Sequence, residues 1–272
     1  MKEPAVRGVN TTNRQSKQNH MKIRTNPSVP SASTLPPLHP SKLRRVAATL
    51  LLAVTTLAGT NVHAGVLPIN SQPNERSYGQ WAVAWWQWAL SIPAATNPLL
   101  DTTGEFAGVA QSGPVWFLGG SFGGSAERTL TIPAGRAIFM PVHQWIFGAS
   151  VGDCDPSNPG VACDVPTLRA AAAAATTAVQ VLEVSIDGHS VGQLRNYRAL
   201  SPDSFSVTLP VGNVLELFGL PTPAGTYAPQ VADGYWLMLT PLSVGKHTIR
   251  VHAVNPDYGT DYTVIYHITV KP

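Results

Sequence analysis

The hydrophobic positions of this chain follow two periods, one helical and one alternating, in separate stretches. From Ser77 to Leu100 no Asp, Glu, Lys or Arg occurs, and four of the seven tryptophans fall between Trp81 and Trp88. At about 100° per residue, Trp81, Ala84, Trp85, Trp88 and Ile92 lie on one stripe. Trp86 lies on a flank with Ala82 and Ala89, and only Gln80, Gln87 and Ser91 share a polar strip. The spacing predicts a helix over Ser77 to Ser91. Ser77 and Gln80 have the spacing of a capping box, and Ile92-Pro93 stops the helix because the residue before proline is pushed out of the helical region. A helix apolar around most of its circumference is a buried one. Trp81, Trp85 and Trp88 are therefore expected as a core wedge, with Trp86 turned far enough round to meet a ligand.

The alternating period takes over downstream. Val115 to Leu118 reads as a short strand, and Arg128 to Val142 as two strands joined at Pro133-Ala134-Gly135. A second helix starts at Asp164-Val165-Pro166, with Asp164 as its cap, and runs through the alanines that follow Arg169. Val181 to Ile186 leads into an Asp187-Gly188 turn, with Val191 to Tyr197 as the returning strand. Ser204 to Leu209 is another strand. Gly212 to Gly234 holds four glycines and three prolines and reads as a long ordered loop or lid. Tyr235 to Thr240, His247 to Val254 and Tyr262 to Val270 are three closing strands. The predicted fold is mainly β: an antiparallel β-sandwich or jelly roll carrying one Trp-rich and one Ala-rich helix.

Charge divides the chain in two. Lys42, Arg44 and Arg45 precede an apolar run from Val46 to Ala58, and Val62-His63-Ala64 places small residues where a signal peptidase reads. Residues 1–64 are expected to be a leader and signal peptide cleaved after Ala64, leaving 65–272 as a single β-rich domain. The run is short for a membrane span, so no transmembrane segment is expected in the mature chain. The leader holds nine basic residues and one acid; the remaining 208 residues hold nine basic and fourteen acidic, a net charge of −5. That balance excludes nucleic-acid binding by a basic patch. Cys154 and Cys163, the two cysteines present, are expected to form a disulfide after export.

The segments AWWQWALSIP, GPVWFLGG, TIPAGRAIFMPV, DGYWLMLTPLSVGKHTI and YTVIYHITV together resemble a family of exported bacterial proteins of uncharacterised activity. The resemblance spans most of the mature chain and implies export; it implies no chemistry.

Several constellations could carry chemistry. Gly119-Gly120-Ser121-Phe122-Gly123 matches the G-x-S-x-G elbow that presents a serine nucleophile, with Asp233 and His247, His252 or His267 in the chain order of a triad; a glycine-rich turn is the plainer reading. His143, at a predicted strand end, precedes Asp153 and Asp155, a pattern suited to acid/base work, though an interior histidine is commoner. Asp153, Asp155, Ser157 and Asp164 stand at positions 1, 3, 5 and 12 of a calcium-loop count, but Asn158 replaces the glycine such a loop needs. On the closing strands, alternation places Arg250, His252 and His267 on one face, open to an anion or a glycan. Trp86, Trp116, Trp145 and Trp236 are the candidates for stacking on a ligand ring.

Two functions follow from these residues. The first is a secreted or periplasmic protein that binds an extracellular ligand, a glycan above all, or another small molecule. The second is a secreted hydrolase or lyase using His143 with Asp153 or Asp155, or Ser121 as nucleophile. An envelope protein without a small ligand is the third possibility.

Overall fold

The computed structural model describes residues 65–122, 124–155, 163–220 and 222–272; the expected leader, its cleavage site and Ser157 lie outside them. In chain order the elements are α1 (Tyr78–Leu90), β1 (Val115–Phe117), β2 (Ala126–Pro133), β3 (Ala137–Gly148), α2 (Val165–Thr177), β4 (Val181–Ile186), β5 (His189–Ser190), β6 (Arg198–Leu200), β7 (Phe205–Leu209), β8 (Gly225–Leu239), β9 (Gly245–Asn255) and β10 (Thr260–Lys271). No described helix is long and apolar enough to cross a membrane.

Helix α1 begins as its sequence dictates. The Ser77 hydroxyl accepts from the Gln80 amide at 3.3 Å, and the Gln80 side chain accepts from the Ser77 amide at 2.8 Å. Asp164 likewise caps α2 by accepting from the Thr167 amide at 3.0 Å. The predicted disulfide joins Cys154 to Cys163.

The strands form two sheets. Sheet 1 runs β1-β3-β8-β6, with β7 pairing a different part of β8; sheet 2 runs β2-β10-β9-β4-β5. Both are mixed rather than purely antiparallel, because β1 runs parallel to β3 and β2 parallel to β10. The mixing has a local cause. After Pro133-Ala134-Gly135 the chain changes sheets, so β2 and β3 do not pair as a hairpin.

Three layers result: sheet 2, sheet 1 and α1. Tyr235, Leu237 and Leu239 of β8 pack between the sheets with Ile249, Val251, Val264 and Tyr266. The alternate residues Ala232, Trp236 and Met238 face α1. Sheet 1 is thus covered on both sides, which explains the unbroken apolar run of β8. The wedge is as expected. Trp85 is fully buried, meets Trp236 edge-on at 5.4 Å and donates its Nε1–H to the Leu118 carbonyl at 2.9 Å. Burying one such ring is worth roughly 4 to 6 kcal/mol at ~25 cal/mol/Å², an upper bound.

Two expected segments differ. The returning strand at Val191 to Tyr197 is instead a two-residue β5 followed by a 3₁₀ turn at Leu194–Tyr197. Within Gly212 to Gly234, Val214–Phe218 is 3₁₀ and everything from Gly225 onward is strand β8. In the first case strand pairing ends at Ser190 despite the local alternation; in the second, pairing of β8 to its neighbours outweighed the local glycine and proline signal.

Candidate functional site

The site grows out of an irregularity in β3. Pro141 pairs with Trp236 and His143 with Tyr235, so Val142 is an extra residue, a β-bulge. Phe139, before the bulge, faces α1, and simple alternation would send His143 there too. The bulge turns His143 toward sheet 2 instead, where its ring lies parallel to Tyr262 at 6.3 Å and meets Trp145 edge-on at 5.6 Å. Gly234, opposite Gln144, accommodates the close approach: a Cβ there would sit 2.7 Å from the His143 carbonyl.

Strand β1 pairs with β3 only from Ala137 to Phe139. Beyond that the outer side of β3 has no strand neighbour among the described residues, and a cavity of about 340 Å³ opens along it. Its walls come from both faces of sheet 1. Trp145, Phe147, Tyr258 and Tyr262 stand on one side, and Trp86, Ile146, Leu215 and Leu220 on the other. Phe122 and Phe218, in ring contact at 4.8 Å, complete the wall. Trp145 stacks at a tilt on Tyr258, ring centres 4.6 Å apart. Most of the lining is apolar; Ser121, His143, Gln144, Asp153 and Thr260 are its main polar members, and no described Lys or Arg lines it.

His143 is 2 % exposed, and its Nδ1 is sealed without a partner among the described residues. Burial pushes its pKa down to about 4, so the ring is neutral at neutral pH. A sealed N–H lacking an acceptor is costlier than a sealed lone pair, which favours the proton on Nε2. His143 is then a neutral ring with its proton on Nε2. Asp153 is exposed; desolvation raises the pKa of its carboxyl, while the Gly148 amide, donating to Oδ2 at 2.9 Å, opposes the rise. The indole Nε1 atoms of Trp86 and Trp145 are also buried without a partner among the described residues.

The Gly119-Gly120-Ser121 turn reaches the cavity because Arg128 pulls it inward. Buried at 3 % exposure, Arg128 donates to the carbonyls of Gly119, Gly120 and Asp101, and the Tyr266 hydroxyl donates to Gly119 as well. Gly120 is hemmed in by the Pro141 ring, whose Cγ would lie 2.9 Å from a Cβ there. Ser121 lines the cavity and donates to the Gly124 carbonyl. The described residues after it lead into strand β2, without the helix on which a nucleophile elbow turns.

Of the expected site residues, the fold brings Trp86, Ser121, His143, Trp145 and Asp153 to this one cavity. Asp155 is exposed nearby in sequence but does not line it. Trp236 is fully buried and stacks on Phe139 at 5.2 Å, and Trp116 is 6 % exposed with the Arg136 guanidinium over its ring at 5.0 Å. Neither offers an open ring face.

Arg250, His252 and His267 do share the outer face of sheet 2, but with acidic neighbours. His252 lies 3.2 Å from Glu183 and 3.3 Å from Asp261, Arg250 3.5 Å from Glu183, and His267 2.7 Å from Glu127. An anion arriving there would have to displace a carboxylate. Asp233 is paired with Arg198 at 2.6 Å, so its carboxylate is committed to a guanidinium. His247 meets Asp187 at 2.7 Å and Ser243 Oγ at 3.3 Å, yet its Nε2 is closer to the Ser243 carbonyl, at 2.9 Å. Both ring nitrogens therefore face acceptors, which makes this a clip between two turns and not a serine-activating base. Asp164 is committed to its cap, and among the described residues no group of three or more His, Cys, Asp or Glu is arranged to hold a metal ion.

The sequence did not single out Phe122, Ile146, Leu215, Phe218, Leu220 and Tyr258 as lining residues. One signal was present: Val214, Leu215, Leu217, Phe218 and Leu220 cluster inside a stretch otherwise marked by turn residues.

No family model matches the chain, and no curated protein matches it. Two solved structures align with parts of it. A cysteine protease inhibitor from Entamoeba histolytica, EhICP2, is 16 % identical, covering 53 % of this chain and 86 % of its own, with a TM-score of 0.19. PbICP-C, solved in complex with falcipain-2, is 12 % identical, covering 58 % and 100 %, with a TM-score of 0.22. Likeness at that level leaves the site to be read from its own geometry.

Proposed function

We propose that this chain is an exported protein that binds an extracellular ligand in the cavity beside β3. The observation that carries the reading is convergence: Trp86 and Trp145, from distant parts of the sequence, wall the same apolar cavity with a buried neutral histidine. A lining of rings with few hydroxyls or amides suits a ligand of broad apolar surface. A glycan fits less well, because each enclosed sugar hydroxyl needs a hydrogen-bond partner; a single sugar face on Trp145 is its most favourable version. Export rests on the leader pattern and agrees with the disulfide.

The neutral fluorophore N-phenyl-1-naphthylamine tests the site. It should bind the folded protein with one-to-one stoichiometry and lose about tenfold in affinity in Trp145→Ala, the equivalent of one lost ring contact. Unchanged binding in Trp145→Ala and Trp86→Ala would sink the reading.

A hydrolase reading draws on one observation, the presence of Ser121, His143 and Asp153 in the same wall. It requires covalent labelling of Ser121 by a fluorophosphonate. The binding reading expects none.

A further inference from the structure

The outer side of β3 is an unsatisfied strand edge, and its register can be followed residue by residue. Before the bulge, odd-numbered residues turn their backbone groups outward: the Ala137 amide donates to the Pro114 carbonyl, and the Phe139 carbonyl accepts from the Leu118 amide. After the bulge the even-numbered residues do so. The Val142 carbonyl accepts from the Tyr262 hydroxyl at 2.8 Å, and Gly148 exchanges bonds with Asp153, whose amide donates to the Gly148 carbonyl while its Oδ2 accepts from the Gly148 amide.

The far side of the sheet agrees. Ala232, opposite Ile146, gives its own N–H and C=O to Ser201 and so spends nothing on β3. The alternation of an antiparallel ladder then leaves the N–H and C=O of Gln144 and Ile146 on the open edge. No described residue bonds to either.

Such edges are usually blunted by lysine, proline or a covering segment. From His143 to Gly148 the strand has neither lysine nor proline, and the space beside it is the cavity. That space also opens on both faces of the sheet, each lined with rings, where the side chains of an added strand would alternate.

We propose that the cavity takes an extended peptide, which adds a short strand to β3 through the N–H and C=O of Gln144 and Ile146. This rests on the reading of the cavity as the binding site and names its ligand class. The peptide places apolar side chains alternately against Trp145, Phe147 and Tyr258 on one side and Trp86, Leu215 and Leu220 on the other. Asp153 ends the open window at Gly148, so the bonded stretch is short, three to four residues. With Asp153 the one charged residue in the described lining, neutral or basic peptides are favoured over acidic ones.

The test is selection of displayed random heptapeptides on the folded protein, followed by titration of the enriched sequences. Ile146→Pro is the informative variant, because it deletes an outward N–H without touching the ladder to β8. Expected results are alternating apolar sequences, a loss of about tenfold on Ile146→Pro and on N-methylation of a central peptide amide, and slowed hydrogen exchange of the Ile146 amide in the wild-type complex. The near-UV circular dichroism of Ile146→Pro should match that of the wild type, which shows that the variant is folded with its rings in place, and the N-methylated peptide repeats the test on unaltered protein. Peptide binding indifferent to both changes, or no enrichment, overturns the proposal while the cavity reading stands on the fluorophore. Failure of the fluorophore as well removes both. A wild-type dimer that Ile146→Pro dissociates overturns the peptide in favour of a second copy of the chain.

Discussion

The cavity beside β3 and the outer face of sheet 2 use the same residue types in opposite states. On sheet 2, His252 and His267 are half-buried beside Glu183, Asp261 and Glu127. In the cavity, His143 is buried, has no charged neighbour in hydrogen-bond contact among the described residues, lies parallel to Tyr262 and meets Trp145 edge-on. Polar capacity on the open face is spent within the protein. In the cavity it is left for something else, at a desolvation cost. A histidine's presence in a sequence therefore says little about function; its solvation and partners say more.

Substitutions separate the two regions, starting with the largest effect. Trp86→Ala should cost about 3 to 5 kcal/mol of stability, the usual range for a buried aromatic, measured by urea denaturation. A loss below about 1 kcal/mol would mean that the ring is not packed as described.

Acid should act next, through His143. Its pKa is about 4 in the folded protein, against an ordinary 6.5. Between those values the unfolded chain binds the proton first, so stability falls as pH drops from about 6.5 to about 4, by about 3 kcal/mol in all. Asp153, raised in the folded state, pulls the other way, since a raised carboxyl favours the folded form at low pH. Comparing the wild type with His143→Gln isolates the histidine: the variant should lose that part of the slope. Equal slopes would place His143 in water.

The smallest effect belongs to sheet 2. Glu127→Gln and Glu183→Gln should each change stability by less than about 1 kcal/mol, and the difference should shrink in high salt. A larger, salt-resistant effect would erase the contrast between the two regions.

Much of the fold was legible in sequence because its signals are local. The capping box at Ser77 and Gln80, the tryptophan stripe, the Asp164 cap and the closing strands all depend on neighbours within a few residues. The site was legible only in part. Trp86, Ser121, His143, Trp145 and Asp153 could be picked out by type, whereas Leu215, Phe218 and Tyr258 became lining residues through contacts far along the chain.

The sequence by itself determined the helices, the β-rich character, the disulfide pair and the side of α1 that forms the core, since periodicity and capping act over one or two turns of chain. The tertiary structure decided how the strands pair, and that decided the site. Where β1 stops follows from pairing between segments 22 residues apart, and where Val142 bulges from pairing between segments about a hundred apart; together they leave one side of β3 open. A one-residue shift in that pairing turns His143 from the helix side to the cavity.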